Sequence, residues 1–199
     1  MKSPLMYQMS EISCGEITIF NCVSYLFERE EMPLEFLKIM SSYASSCYTK
    51  IGELENGEFC NNLMFFTARW INGYAHERKI PLIAKHLKNS EVNLLEIRKC
   101  LLNGGCVSLK TGFKGKRYIS IMKMDDVFIY AFDPYYKEKF DKQNLEVDIV
   151  LNKPFEYNRK IKIEKFISEV SDEYSLGAVR EREAVLFSRD DAMLQREFG

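Results

Sequence analysis

The chain has 199 residues, of which 46% are hydrophobic and 29% charged, enough to bury one sizeable core. Ten glycines and five prolines argue against a collagenous or linker-rich chain, and the hydrophobic content argues against a disordered one. Twenty-eight basic against 29 acidic residues leave a formal charge of -1, so no global positive field exists and no nucleic-acid partner is expected. No apolar run approaches the roughly 18 residues of a membrane helix, so no integral membrane segment is expected. The opening residues lack the apolar stretch of a signal peptide. The six cysteines, at 14, 22, 47, 60, 100 and 106, are irregularly spaced and contain no CxxC pair. That argues against a disulfide framework and a zinc knuckle. Reduced thiols in a cytoplasmic compartment are expected, with no metal and no cofactor.

The first half reads mainly helical. Residues 14–28 carry Ile17, Phe20, Val23 and Phe27 near one helical face. Ser13 stands in the capping position, with Glu16 three residues on. Pro33 opens a second helical pattern, and Asn56-Gly57 marks a turn. Residues 59–72 predict a third helix with an aromatic core face of Phe65, Phe66 and Trp70, ending near Gly73. Residues 93–102 predict a fourth, stopped by Asn103-Gly104-Gly105. The period then changes to short β-rich segments within 106–113, 116–124 and 126–134. Residues 159–169 read as helical, and 183–189 as a closing strand. The alternating charges at 180–183 read as a solvated face, and the last ten residues are expected to fray. Helices first and an antiparallel sheet afterwards predict an α+β fold in one domain spanning 1–199.

Cys14, at a helix start and followed by Gly15, is the residue with chemical promise. Unsatisfied N–H groups and the positive end of the helix dipole stabilise a thiolate there. Gln8, six residues upstream, carries an amide that could donate to an oxyanion forming near the sulfur. The plainer alternative is a small buried cysteine and a surface amide. The basic run 110–117 reads as a solvated hairpin or an anion contact without P-loop spacing. Tyr135-Tyr136 reads as a groove wall or a packed turn.

The segment from Gln8 to Cys14-Gly15 resembles the opening of the bacteriocin-processing, double-glycine leader peptidases. Those are papain-like cysteine peptidases with Gln, five residues, then Cys-Gly leading into a helix. Gly57 and the helix after it match the family's second helical block, and 93–105 resembles the helix and turn before its sheet. Residues 116–136 resemble its catalytic strand pair, closed by Asp133-Pro134. The resemblance covers 5–137 and leaves 138–199 as an extension packed on that core. It implies a papain-like fold, with Cys14 as nucleophile, Gln8 at the oxyanion hole and Asp133 as orienting acid. Gly15, Tyr118 and Tyr135 would line a substrate groove for a peptide or protein ligand.

The general base departs from the pattern. The family's His position falls on Arg117, and the chain's two histidines, His76 and His86, lie well before the sheet. An imidazole takes the thiol proton and returns it to the leaving amine. A guanidinium has no acceptor and does not deprotonate in proteins. His86 sits among apolar residues and reads as structural, and His76 as a solvated loop residue. Tyr118, if it replaced the base, would titrate near 10. Three readings follow. One is a degenerate peptidase that keeps a peptide- or protein-binding groove. Another is an active thiol enzyme, peptidase or acyltransferase, with a changed proton-transfer partner. The third is an interaction module sharing only the fold.

Overall fold

A computed structural model describes residues 1–8, 14–33, 35, 36, 38, 63–114, 117–140 and 145–190. The predicted cap at Ser13, the turn at Asn56-Gly57 and the nine residues past Asp190 lie outside the described residues. Most of the second predicted helix does too, although residues 35, 36 and 38 are helical.

In chain order the longer elements are α1 (Cys14–Leu26), α2 (Leu63–Arg78), β1 (Leu82–Lys88) and α3 (Leu94–Leu102). Then come β2 (Cys106–Lys110), β3 (Tyr118–Met124), β4 (Phe128–Phe132), β5 (Val147–Ile149) and β6 (Arg159–Lys162). The single turn α4 (Ile163–Phe166) and β7 (Glu183–Arg189) complete the chain. The strands form one antiparallel sheet in the order β1-β7-β2-β3-β4-β6-β5. This is the expected α+β architecture.

Each central strand buries both faces because helices cover both. Toward α1 and α2 point Ala84, Cys106, Tyr118, Met122, Val185 and Phe187, packed on Ile19, Val23, Met64 and Ile71. Toward α3 and α4 point Val107, Leu109, Ile119, Ile121, Ala184 and Leu186, packed on Ile97 and Phe166. The switch between neighbouring residues is the period of two of an extended strand. Helix α1 is also hydrogen-bonded to the sheet: Thr18 Oγ1 lies 2.7 Å from Ser108 Oγ, and Ser120 Oγ donates to Thr18 O at 3.1 Å. These bonds fix the height of α1 above β2 and β3, and so the place of its first residue.

The edge strand β1 is blocked by a side chain. Asn72 of α2 accepts from Ala84 N and donates to Ala84 O, both at 2.8 Å. It replaces the ladder bonds a neighbouring strand would make and keeps the edge from recruiting one.

Four expectations need correction. Helix α2 runs through Gly73 to Arg78, because Ile71 and Ala75 continue the buried stripe. It stops at Lys79, whose φ of 55° breaks the helical path. Residues 82–88 form a strand inside the nominally helical half, with alternating burial. Residues 159–162 are a strand and only 163–166 a helical turn. The strand's buried members are Arg159 and Ile161, and with one of the two an arginine the alternation does not register as a hydrophobicity pattern. Finally, residues 138–199 are not only packed on a core. They supply β5, β6 and β7, and β7 lies between β1 and β2.

Candidate functional site

Helix α1 begins at Cys14, whose side chain is only 8% exposed. Burial raises the thiol pKa above its ordinary value. Backbone N–H groups of Tyr118 and Gly15 and the charge of Arg117 act against that rise, and Asp133 adds to it. The net direction is upward, opposite to what the helix terminus alone predicts. Desolvation of the charged form outweighs the dipole here. Gly15 is buried in the first turn of α1.

Arg117 immediately precedes β3, and Asp133 immediately follows β4, the neighbouring strand. The two meet as an ion pair, Arg117 Nη2 on Asp133 Oδ2. Asp133 is fully buried and heavily bonded. Tyr174 donates to its Oδ2 at 2.9 Å and the Tyr135 backbone N–H to its Oδ1 at 2.9 Å. Arg159 Nη2 lies 3.7 Å from Oδ2. Asn158 clamps the Asp133 backbone, accepting from its N–H and donating to its carbonyl, both at 2.7 Å. A buried carboxylate is tolerable only with such partners.

Arg117 is held on its other side by Glu173, Nη1 to Oε1 at 3.1 Å. The Tyr135 ring lies 5.0 Å from the guanidinium carbon and the Tyr174 ring 5.6 Å. Burial works to lower its pKa, but the nearby carboxylates more than offset that, and the cation is strengthened. Arg117 Nε is buried with no hydrogen-bond partner among the described residues.

Gln8 is brought to the same region through its backbone, whose N–H donates to Pro134 O at 2.9 Å. The approach chain is anchored by Asn21 of α1, which accepts from Met6 N at 2.7 Å and donates to Met6 O at 3.0 Å. Tyr7 packs on Phe132 and Tyr136, with 5.1 Å between ring centroids in each pair. Gln8, Cys14, Arg117 and Asp133 therefore converge where α1 meets the β3 and β4 ends.

Two groove expectations come out differently. Tyr135 is 44% exposed and does lie at the surface beside Arg117. Tyr118 is buried, with its hydroxyl donating to Glu183 Oε2 at 2.9 Å, so its side chain lines no open groove. Its ring fills the space between α1 and the sheet instead.

The two histidines lie on α2 and β1. His76 is exposed on the last turn of α2 rather than in a loop. His86 Nε2 lies 2.8 Å from Glu183 Oε1, and Phe65 packs edge-on against its ring. Burial would raise the Glu183 pKa, but the hydrogen bonds from His86 and Tyr118 outweigh it and the net direction is down.

Asn158, Arg159, Glu173 and Tyr174 were not singled out as site residues from sequence. They come from the start of β6, the residue before it and the stretch before β7, 25 to 41 positions from Asp133. A tyrosine and an arginine in an extension carry no spacing signal. Arg182, expected on a solvated face, is 9% exposed and donates to Gly177 O and Val92 O. Among the described residues, no group of three or more His, Cys, Asp or Glu could hold a metal ion. No helix among them is long and apolar enough to cross a membrane.

No family model matches the chain, and no curated protein matches it. Among solved structures it is similar to one described as the crystal structure of a double glycine motif protease from AMS/PCAT transporter in complex with the leader peptide. The identity is 13%, over 94% of this chain and 91% of that one, with a TM-score of 0.45.

Proposed function

We propose that this chain is a degenerate papain-like cysteine peptidase, related to the double-glycine leader peptidases, that retains a peptide-binding groove around Cys14 without hydrolysing what it binds. The observation that supports this reading is the Arg117–Asp133 ion pair. Arginine stands in the position of the general base, and its charge is taken up by Asp133 and Glu173. It has no lone pair to accept the thiol proton and does not give up a proton of its own to a leaving amine. Cys14 stays a neutral thiol at physiological pH, since burial pushes its pKa up. A protonated, desolvated sulfur is a weak nucleophile. Gln8 and the exposed Tyr135 remain available for contacts to a peptide backbone or side chain.

The test uses two acyl donors of different leaving-group demand, a peptide 4-nitroanilide and an acyl thioester, with Cys14→Ser as the blank. The expected result is no Cys14-dependent turnover of either. Thioester cleavage that disappears in Cys14→Ser would replace this reading with that of an active acyl-transfer enzyme, because a thiolate leaves without protonation. For the binding half, a tryptic digest of casein is expected to slow iodoacetamide alkylation of Cys14. Unchanged alkylation would remove the groove from the account.

A further inference from the structure

Two cations converge on one accessible carboxylate beside the candidate site. Arg117 Nη1 lies 3.1 Å from Glu173 Oε1, and Lys137 Nζ lies 3.8 Å from Glu173 Oε2. Each oxygen thus has its own cation. The Glu173 side chain is 31% exposed, in contrast to Asp133 at 0%. Asp133 is secured by hydrogen bonds from Tyr174 and the Tyr135 backbone besides its ion pairs. Among the described residues, Glu173 makes the two ion pairs. Ion pairs with access to water are worth roughly 0–1 kcal/mol, so this carboxylate exchanges at low cost where Asp133 does not. The local charge favours keeping an anion there. Arg117, Arg159 and Lys137 are three positive groups against the two negative groups Asp133 and Glu173. Lys137 is further steadied by the Phe140 ring, 5.1 Å from its ammonium.

We propose that Arg117 and Lys137 form a carboxylate-binding subsite occupied internally by Glu173, and that the carboxylate of a peptide ligand displaces it. This deepens the reading of the site as a peptide-binding groove and rests on it for the class of ligand. Glu173 then acts as a specificity device. A neutral ligand gains nothing by moving it, whereas an anionic one replaces it and preserves the charge balance.

Iodoacetate and iodoacetamide are similar in size and share an alkylation chemistry, but only the first carries a carboxylate. Their rate ratio at Cys14, read by mass spectrometry of the Cys14 peptide and normalised to N-acetylcysteine, cancels thiol accessibility and thiolate fraction. In Glu173→Gln the ratio is expected to rise about fivefold, and in Lys137→Gln to fall. Glu169→Gln, which removes a carboxylate paired with Arg182 on the same stretch, is expected to leave it unchanged. A ratio indifferent to Glu173→Gln, or moved equally by Glu169→Gln, would overturn the subsite.

A direct measurement covers the case of an unreactive thiol. Backbone amide shifts of Lys137 and Glu173 are followed by NMR during titration with acetyl-Ala-Ala, its C-terminal amide, and acetyl-Ala-Glu-amide. Shifts with the free acid alone support a C-terminal carboxylate as ligand, and shifts with the glutamyl peptide support a side-chain one. Equal shifts with all three, or none, contradict the proposal. If all three peptides shift Gln8 and Gly15 but not Glu173, the groove stands and the subsite fails. If the acids shift Lys137 and Glu173 but leave Gln8 and Gly15 unmoved, the subsite stands and the groove fails.

Discussion

In the proposed reading, position 117 decides what the site can do, because it sets whether a proton can move. Asp133 has no access to water and depends on its partners for tolerance. Breaking such a pair leaves an uncompensated buried charge, typically at a cost of about 3–5 kcal/mol. Tyr174 and Arg159 remain in place here, so Arg117→Gln is expected to destabilise the fold by about 3 kcal/mol in urea unfolding. A loss within the noise of the measurement would mean that Arg117 is not Asp133's principal counterion. Glu183, beside Tyr118 and His86, provides a separate check. Its folded pKa lies below the ordinary glutamate value near 4.3. The unfolded chain therefore binds this proton more readily. The stabilisation is present above about pH 4.3 and is lost as the pH falls through the folded value. Glu183→Gln is expected to flatten the decline of melting temperature on acidification, and an unchanged acid slope would remove Glu183 from the account.

At the scale of elements, one close crossing holds the site's supports in place. Gly112, in the β2–β3 connection, and Gly177, before β7, cross closely. A Cβ at 112 would meet Ser175 Oγ at 2.6 Å and Gly177 Cα at 2.7 Å. Gly112 N also donates to Ser175 O at 2.8 Å, and Ser171 Oγ donates to Gly112 O at 2.7 Å. This crossing ties the connection leading into Arg117 to the stretch that carries Glu173 and Tyr174. Gly112→Ala must push backbone aside and is expected to destabilise by about 1–3 kcal/mol, with thermal unfolding as the readout. Helix α3 tests the capping argument: Asn93 Oδ1 accepts from Glu96 N at 3.0 Å, and Asn93→Ala should cost about 1 kcal/mol.

Elements whose pattern lies in apolar spacing were legible in the sequence. Helix α3 stands between Asn93 and Asn103-Gly104, and β7 falls on the strand expected at 183–189. Gln8, Cys14, Arg117 and Asp133, singled out in the sequence, lie in one region of the fold. Strand β1 was not legible because its seven residues include two lysines and a histidine. Strand β6 was not, because one of its two buried residues, Arg159, is satisfied by Tyr174, Asn158 and Tyr135 rather than by apolar contact. The second tier of the site was invisible for the same reason. Long-range polar pairing has no periodicity.

For the whole molecule, the consequence is that the segment resembling a peptidase core is not a separable unit. Strand β7 pairs with β1 on one side and β2 on the other. A chain ended at residue 182 leaves β1 without its strand partner and opens β2 to solvent along one edge. It is expected to lose the cooperative thermal transition seen by circular dichroism. A truncated chain that melts cooperatively near the full-length temperature would show that the extension is dispensable.

The central claim is that Cys14 is a neutral, unactivated thiol beside an arginine that cannot shuttle its proton. The pH dependence of iodoacetamide alkylation at Cys14, with Cys14→Ser as the blank, tests it most directly. The account predicts a midpoint above the value near 8.5 of a free cysteine, in keeping with a pKa raised by burial. A midpoint well below that value would mean an activated thiolate and would contradict the account.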